Sequence, residues 1–234
     1  MSLKNKTILV TGGSKGIGFG IAEVLLKEGA RVALTSRTQA SADAASKQLQ
    51  KYGDVLGLAA DVRDGDSQQN AVNKVLQQWG RLDVLVANAG LGYFGSIETL
   101  TSQQWSETID TNLTGVFHSV KACIPALKES KGYIITIASL AGTNFFAGGA
   151  AYNASKFGLV GFSQAIMLDL RPHGIKVSTI MPGSVATEFN GANPDAADSW
   201  KIQPEDIGQM VADLLNLNPR TLPSKIEVRP SQPK

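Results

Sequence analysis

The pattern that most constrains this chain is its alternation of two kinds of segment. Short β-branched or aliphatic runs occupy residues 7–10, 31–35, 55–59, 82–87, 133–138, 176–180 and 225–228. Between them lie longer stretches with helical periodicity, at 17–28, 40–52, 67–79, 102–127, 150–170 and 204–215. Continuous apolar strands separated by helices predict a parallel sheet that is buried on both faces. Right-handed crossovers then place helices on each side, so the expectation is one doubly wound α/β domain over residues 1–234 with about seven strands. Apolar residues make up 43% of the chain and charged residues 18%, enough to fill such a core. The least regular stretch, residues 184–200, is rich in Ala, Asn, Asp and Gly and contains Pro194. It follows a strand end, where the ligand crevice of such a sheet falls, and is expected to be a flexible substrate loop.

Composition removes several classes of function. The net charge is +2 and the basic residues are dispersed, so no electrostatic footprint for nucleic acid is present. No apolar run approaches the ~20 residues needed to cross a bilayer. The opening MSLKNKTILVTGG has no long apolar region or small-residue cleavage site, so no signal peptide is expected. A single cysteine, Cys123, excludes an internal disulfide framework and a thiolate metal cluster. The two histidines, His118 and His173, lack ligand spacing. A metal-free, soluble, cytoplasmic protein fits this balance best.

The first apolar run leads into Thr11-Gly12-Gly13-Ser14-Lys15-Gly16-Ile17-Gly18, and a helix follows at once. Glycines allow a tight turn and let backbone approach a phosphate, while the helix N-terminus offers free N–H groups and a positive dipole end. The bland alternative is a glycine-rich turn with no ligand, because a lone glycine motif is weak. The closing Gly-Lys-Ser/Thr of a Walker phosphate loop is missing.

The spacing Gly12-x3-Gly16-x-Gly18 resembles that of the short-chain dehydrogenases/reductases, and more of that family's pattern follows in order. Asp61-Val62 comes after the third strand and Asn88-Ala89-Gly90 after the fourth. Asn112 falls in the long fourth helix, Ser139 after the fifth strand, and Tyr152-x3-Lys156 at the start of the next helix. Pro182-Gly183 follows the sixth strand, with Val185 and Thr187 just beyond. The resemblance covers residues 6–228 and implies a Rossmann-type oxidoreductase acting on CH–OH or C=O groups. The branch it looks most like is the 3-oxoacyl-thioester (acyl carrier protein) reductases.

Tyr152 and Lys156 are four apart and share a helix face. An ammonium near a phenol favours the phenolate and makes tyrosine a usable acid or base; the alternative is an exposed Tyr–Lys helical pair. Ser139, at a strand end on the same side of the sheet, has a hydroxyl able to polarise a carbonyl oxygen, although a turn or cap serine reads the same way. By the resemblance, Tyr152 is the proton donor in reduction and Ser139 anchors the carbonyl. Lys156 binds the nicotinamide ribose and tunes Tyr152, and Asn112 holds a water for a proton relay.

Cofactor choice is read after the second strand, where a carboxylate binds a ribose 2′-OH and an arginine accommodates a 2′-phosphate. Here Ser36-Arg37 stands with no acid, and Lys15 supplies a second cation, which favours NADP(H) over NAD(H). The resemblance further places Gly12, Ser14, Gly16, Ile17 and Gly18 on the pyrophosphate, with Asp61 and Val62 on the adenine. It puts Asn88, Ala89 and Gly90 on the adenine-ribose side, and Pro182, Gly183, Val185 and Thr187 on the nicotinamide side. His118 and Cys123 read as packing residues, and Trp79, Trp105 and Phe162 as core or interface. Tyr93, Phe94, Asn144, Phe145, Phe146 and Asn190 stand where a substrate cleft would be lined.

The expected activity is reduction of a ketone or 3-oxoacyl-type compound. The rivals are oxidation of a sugar, polyol or steroid alcohol, and a non-catalytic NADP(H)-sensing protein, which loss of Tyr152 or Lys156 would have favoured. Apolar residues on more than one face of the long helices predict a homodimer or homotetramer. The C-terminal Ile226-Glu227-Val228-Arg229-Pro230 lacks the Gly-Gly segment common in tetrameric relatives.

Overall fold

The computed structural model describes residues 3–232; the remaining four residues of the expected 1–234 domain lie outside the described residues. Seven parallel strands form one sheet in the order β3-β2-β1-β4-β5-β6-β7. They are β1 (Thr7–Val10), β2 (Arg31–Ser36), β3 (Val55–Ala59), β4 (Val84–Ala87), β5 (Tyr133–Ile137), β6 (Lys176–Pro182) and β7 (Lys225–Val228). The order reverses between β1 and β4, so the connections leaving these two strands run to opposite sides. A crevice opens there at the carboxyl edge.

Alternation along the strands builds two cores. Ile8 and Val10, Val32 and Leu34, and Val84 and Val86 face one side, against α1 (Gly16–Lys27), α2 (Gln39–Leu49) and α7 (Pro204–Asn216). Leu9, Ala33, Leu85 and Ile134 face the other, against α3 (Gly65–Trp79), α5 (Gly115–Ser130) and α6 (Ala150–Leu170). A period of two on a sheet covered on both faces explains why these strands are apolar throughout. Local signals set the helix ends. The Asp64 carboxylate accepts from Asp66 N and Ser67 N at the start of α3, and Gly80 ends it at φ 72°.

The sequence pattern predicts one helix over 102–127, and the structure divides it. α4 (Ser102–Ile109) runs through a π-turn at Asp110–Thr114 into α5, which continues to Ser130. The cause is tertiary. Asn112, fully buried, accepts from Leu91 N at 2.9 Å and donates to Leu91 O at 2.8 Å and Ser155 Oγ at 3.0 Å. A bulge of one residue turns this amide toward its distant partners. Residues 184–200 hold two short 3₁₀ turns, Phe189–Gly191 and Ala196–Asp198. The segment is tied at its base, where Val185 pairs with Ile202.

Candidate active site

A cleft of about 680 Å³ runs along the carboxyl edge of the sheet, within the range of small-molecule sites. The glycine turn forms one end. Gly12 (φ 64°) bends the chain off β1, and a Cβ on Gly18 would lie 2.4 Å from Gly12 O and 2.5 Å from Asn88 Nδ2. Gly18 therefore supports the turn from behind rather than lining the cleft, whereas Gly12, Ser14, Lys15, Gly16 and Ile17 line it. Asn88 locks β4 to this turn, donating from Nδ2 to Thr11 O at 3.0 Å and Gly12 O at 3.1 Å. The first turn of α1 carries no side-chain cap and no acidic residue, so its N–H groups are left for a ligand.

Beside the turn, the Ser14 hydroxyl donates to Ser36 Oγ at 3.1 Å. Arg37 and Lys15 are exposed at the cleft rim. Asp61, expected on the adenine, lines the cleft with its carboxylate held in place. The Arg63 guanidinium forks onto it, with Nη2 at 2.6 Å from Oδ2, and Arg63 N donates to Oδ1 at 3.0 Å. That fork holds the Asp61 carboxyl below the usual carboxylate range. Arg63 itself lines the cleft, a third cation that the sequence reading missed. Its position two residues after Asp61 was the available signal. His118, expected as a packing residue, sets its Nδ1 3.2 Å from Val62 O and so supports the same wall.

Toward the other end, Ser139, Tyr152 and Lys156 line the cleft together with Pro182, Gly183, Val185 and Thr187; Ser139 Oγ donates to Pro182 O at 3.4 Å, and Thr187 reaches back to Gly16 of the glycine turn. The cap role the sequence allowed for Ser139 is present. Its Oγ caps a 3₁₀ turn by accepting from Ala141 N at 3.1 Å, and the same hydroxyl stands beside the Tyr152 phenol. Burial raises the Tyr152 pKa above its ordinary value, and Ser139 opposes this in part. The sequence had assigned a lowering of this pKa to Lys156. In the structure its Nζ lies 5.7 Å from the Tyr152 ring centre and donates to Ile137 O at 3.1 Å, while burial lowers its own pKa to about 8. Asn112 is not part of the cleft surface; it sits behind Gly90, whose added Cβ would come 3.3 Å from Asn112 Oδ1 and 3.7 Å from Lys156 Nζ.

Comparison with known proteins decides the family. The short chain dehydrogenase family model matches residues 6–198. This chain belongs to that family. Its relatives include the 3-oxoacyl-(acyl-carrier-protein) reductase FabG of Escherichia coli K12, 37% identical over 196 residues, covering 83% of this chain and 80% of the relative. Among solved structures, an alcohol dehydrogenase from the archaeon Thermococcus sibiricus complexed with 5-hydroxy-NADP superposes with a TM-score of 0.92 at 28% identity, over 99% of this chain and 100% of that one. A metagenomic short-chain oxidoreductase in complex with NADP gives 0.86 at 36% identity, covering all of both chains.

As a short-chain dehydrogenase the protein is an oxidoreductase, and several residues the sequence singled out take roles outside the chemistry. Cys123 is buried in the second core, which pushes its thiol up and leaves it inert. Trp79 and Phe162 pack at the edge of that core, while Trp105 is 41% exposed. Tyr93 donates its hydroxyl to Glu107 at 2.6 Å. Among the described residues no helix is long and apolar enough to cross a membrane.

Proposed function

We propose that this short-chain dehydrogenase is a cytoplasmic enzyme that moves a hydride between NADP(H) and a carbonyl or secondary alcohol, working chiefly as a reductase of a ketone or 3-oxoacyl-type compound. The observation that carries this reading is the convergence of Ser139, Tyr152 and Lys156 at one end of a cleft whose other end is the uncapped glycine turn. The two solved relatives bound to NADP or a derivative support the cofactor, as does the presence of Arg37 and Lys15 where an acid is absent.

In this reading Gly12, Ser14, Gly16 and Ile17 bind the pyrophosphate through the α1 N-terminus, with Gly18 holding their turn in shape. Ser36, Arg37 and Lys15 take the 2′-phosphate. Asp61 and Val62 meet the adenine; Asn88, Ala89 and Gly90 take the ribose; Pro182, Gly183, Val185 and Thr187 take the nicotinamide. The cofactor supplies the hydride, and the protein holds the acceptor carbon against it.

Ser139 donates to the carbonyl oxygen as negative charge develops there. Tyr152 gives that oxygen its proton. A phenol kept above its ordinary pKa by burial is protonated at neutral pH, the form a reductase needs at the start of the step. Lys156 positions the ribose and replenishes the Tyr152 proton. The Asn112 side chain is committed to Leu91 and Ser155, so contact with a relay water falls to the backbone of the π-turn it creates. Phe117, Phe157 and Leu168, exposed by 45%, 43% and 60% on the long helices, support assembly as a dimer or tetramer.

The test is steady-state oxidation of NADPH with a panel of ketones and 3-oxoacyl thioesters. Tyr152→Phe is expected to abolish turnover and leave NADPH binding within a few-fold; retained turnover removes Tyr152 from the mechanism.

A further inference from the structure

Three separate loops at the carboxyl edge each send a phenyl ring into one cluster, in which Phe94 and Phe189 meet the Tyr152 ring and Phe146 packs on Phe94. Phe94 follows β4, Phe146 follows β5, and Phe189 stands in the segment after β6. The Phe94 ring centre lies 5.3 Å from that of Tyr152, 6.4 Å from that of Phe189 and 6.0 Å from that of Phe146; Tyr152 and Phe189 are 5.8 Å apart. Interplanar angles of 44–66° make these edge and tilted contacts rather than stacks. Gly92 runs beneath them, and a Cβ there would stand 3.0 Å from Phe94 Cζ, 3.1 Å from Phe189 Cζ and 3.1 Å from Tyr152 Cδ2. Any other residue at position 92 would push the rings apart.

The rings are not core. Phe94, Phe146 and Phe189 are 43%, 48% and 38% exposed; Phe189 lines the cleft, and Phe94 reaches it through its contact with the Tyr152 ring. Large apolar side chains left half in water around a reacting group mark a surface that a ligand covers. Lys156 also stands at this end, with Nζ 5.7 Å from the Tyr152 ring centre and donating to Ile137 O at 3.1 Å; the Glu188 carboxylate lies toward Gly16 of the glycine turn, and Lys201 is paired with Asp198 at 2.7 Å. The rings therefore set the character of the space next to the carbonyl.

We infer that Phe94 and Phe189 are specificity-determining residues that select a carbonyl substrate bearing an aromatic ring next to the C=O, an aryl ketone, over an open-chain acyl thioester. A flat ring offers its face or edge to both phenyl groups once its carbonyl is on Ser139 and Tyr152. A flexible acyl chain covers the same surface only by giving up rotamer freedom, and it brings a polar thioester arm to rings that cannot pair with it. This inference rests on the carbonyl-reductase reading and deepens it.

The experiment compares kcat/KM with NADPH for acetophenone, its saturated analogue cyclohexyl methyl ketone, and the N-acetylcysteamine thioester of 3-oxobutyrate. Wild type is expected to favour acetophenone over each of the others by roughly tenfold or more. Phe94→Leu and Phe189→Leu keep apolarity but remove a ring, and each should cut the acetophenone-to-cyclohexyl ratio by roughly threefold to tenfold, in line with the energy of an aromatic pair. Phe94→Tyr restores a ring and should restore the ratio, which a merely structural role for Phe94 would not do. A ratio that stays unchanged in both leucine variants overturns the inference, as does preference for the thioester, while reduction itself would still stand.

A second measurement does not need turnover. Benzamide, an aromatic carbonyl that the enzyme has no means to reduce, is titrated into the NADP-loaded protein by calorimetry alongside cyclohexanecarboxamide. Tighter binding of benzamide, lost in Phe94→Leu, upholds the ring selection even if no ketone is reduced, and equal binding defeats it.

Discussion

Lys156 is an ammonium with almost no water around it. It is 4% exposed, and its Nζ donates to Ile137 O at 3.1 Å. Burial brings its pKa from 10.5 to about 8, which means that the charged form is held in the fold at a cost of about 3 kcal/mol. Lys156→Met fills the same volume without the charge. Loss of the bond to Ile137 O returns about 1–1.5 kcal/mol of that gain, so the variant should be more stable than wild type by about 2 kcal/mol near neutral pH. For a chain of this length that is about 4–8 °C in Tm.

The sign has a pH signature. Between about pH 8 and 10.5 the unfolded chain keeps the Lys156 proton and the folded chain releases it. Wild-type stability therefore rises through that window relative to the variant, and the advantage of Lys156→Met shrinks and then reverses. Differential scanning calorimetry of both proteins without cofactor, in steps from about pH 7 to 10.5, reads the difference directly, since every other titration is common to the pair. A variant less stable than wild type at neutral pH, or a Tm gap that does not change with pH, would refute the reasoning. Activity should be lost in the variant throughout, because the ribose contact and the proton supply go with the amine.

Arg37→Ala should weaken NADPH roughly tenfold to a hundredfold and leave NADH nearly unaffected, and adding Ser36→Asp should turn preference toward NADH; kcat/KM for both cofactors at fixed ionic strength decides it, and equal losses would be fatal to the assignment. Gly18→Ala would ordinarily favour a helix by about 1 kcal/mol, but here the methyl meets Gly12 O and Asn88 Nδ2, so NADPH affinity should fall by at least tenfold in a fluorescence titration. Asp83, 2% exposed, accepts from Thr7 N at 2.9 Å and takes Arg81 in a fork; burial alone would raise its carboxyl, and these partners together with Lys6 outweigh it and lower it. Its contribution is present above about pH 4 and fades as pH falls through the lowered value, so Asp83→Ala should cost about 2–3 kcal/mol in urea melts at neutral pH and less in acid.

Much of this was legible in the chain because buried parallel strands leave a local trace. Val32-Ala33-Leu34 and Val84-Leu85-Val86 are apolar on both faces, and no helix or exposed strand needs that. The order of motifs placed each site residue after its strand, and the structure gathers all but Gly18 and Asn112 on the cleft surface. The misses came from contacts that span the sequence. Nothing around residue 110 announces a π-turn, because its cause is the backbone of Leu91, 21 residues earlier. The three phenyl rings sit on loops 52 and 43 residues apart, where periodicity carries no information. The Asp61–Arg63 fork is local, and an acid and an arginine two apart are its trace in the sequence.

The pairing of Val185 with Ile202 has a consequence for how such an enzyme can change over time. Ala186 N bonds to Ile202 O at 2.9 Å and Ile202 N to Ser184 O at 3.1 Å, so the intervening residues leave and return through one closed neck beyond the end of β6. Behind a closed neck, the cost of lengthening a loop grows only with the logarithm of its length, about 0.6 kcal/mol for a doubling. Phe189 lies inside the neck, and the glycine turn and Tyr152 lie outside it. The segment is thus an exchangeable cassette: a stretch of different length and sequence can be inserted between the same two anchors, bringing a new substrate preference to a sheet and a cofactor floor that do not have to be rebuilt.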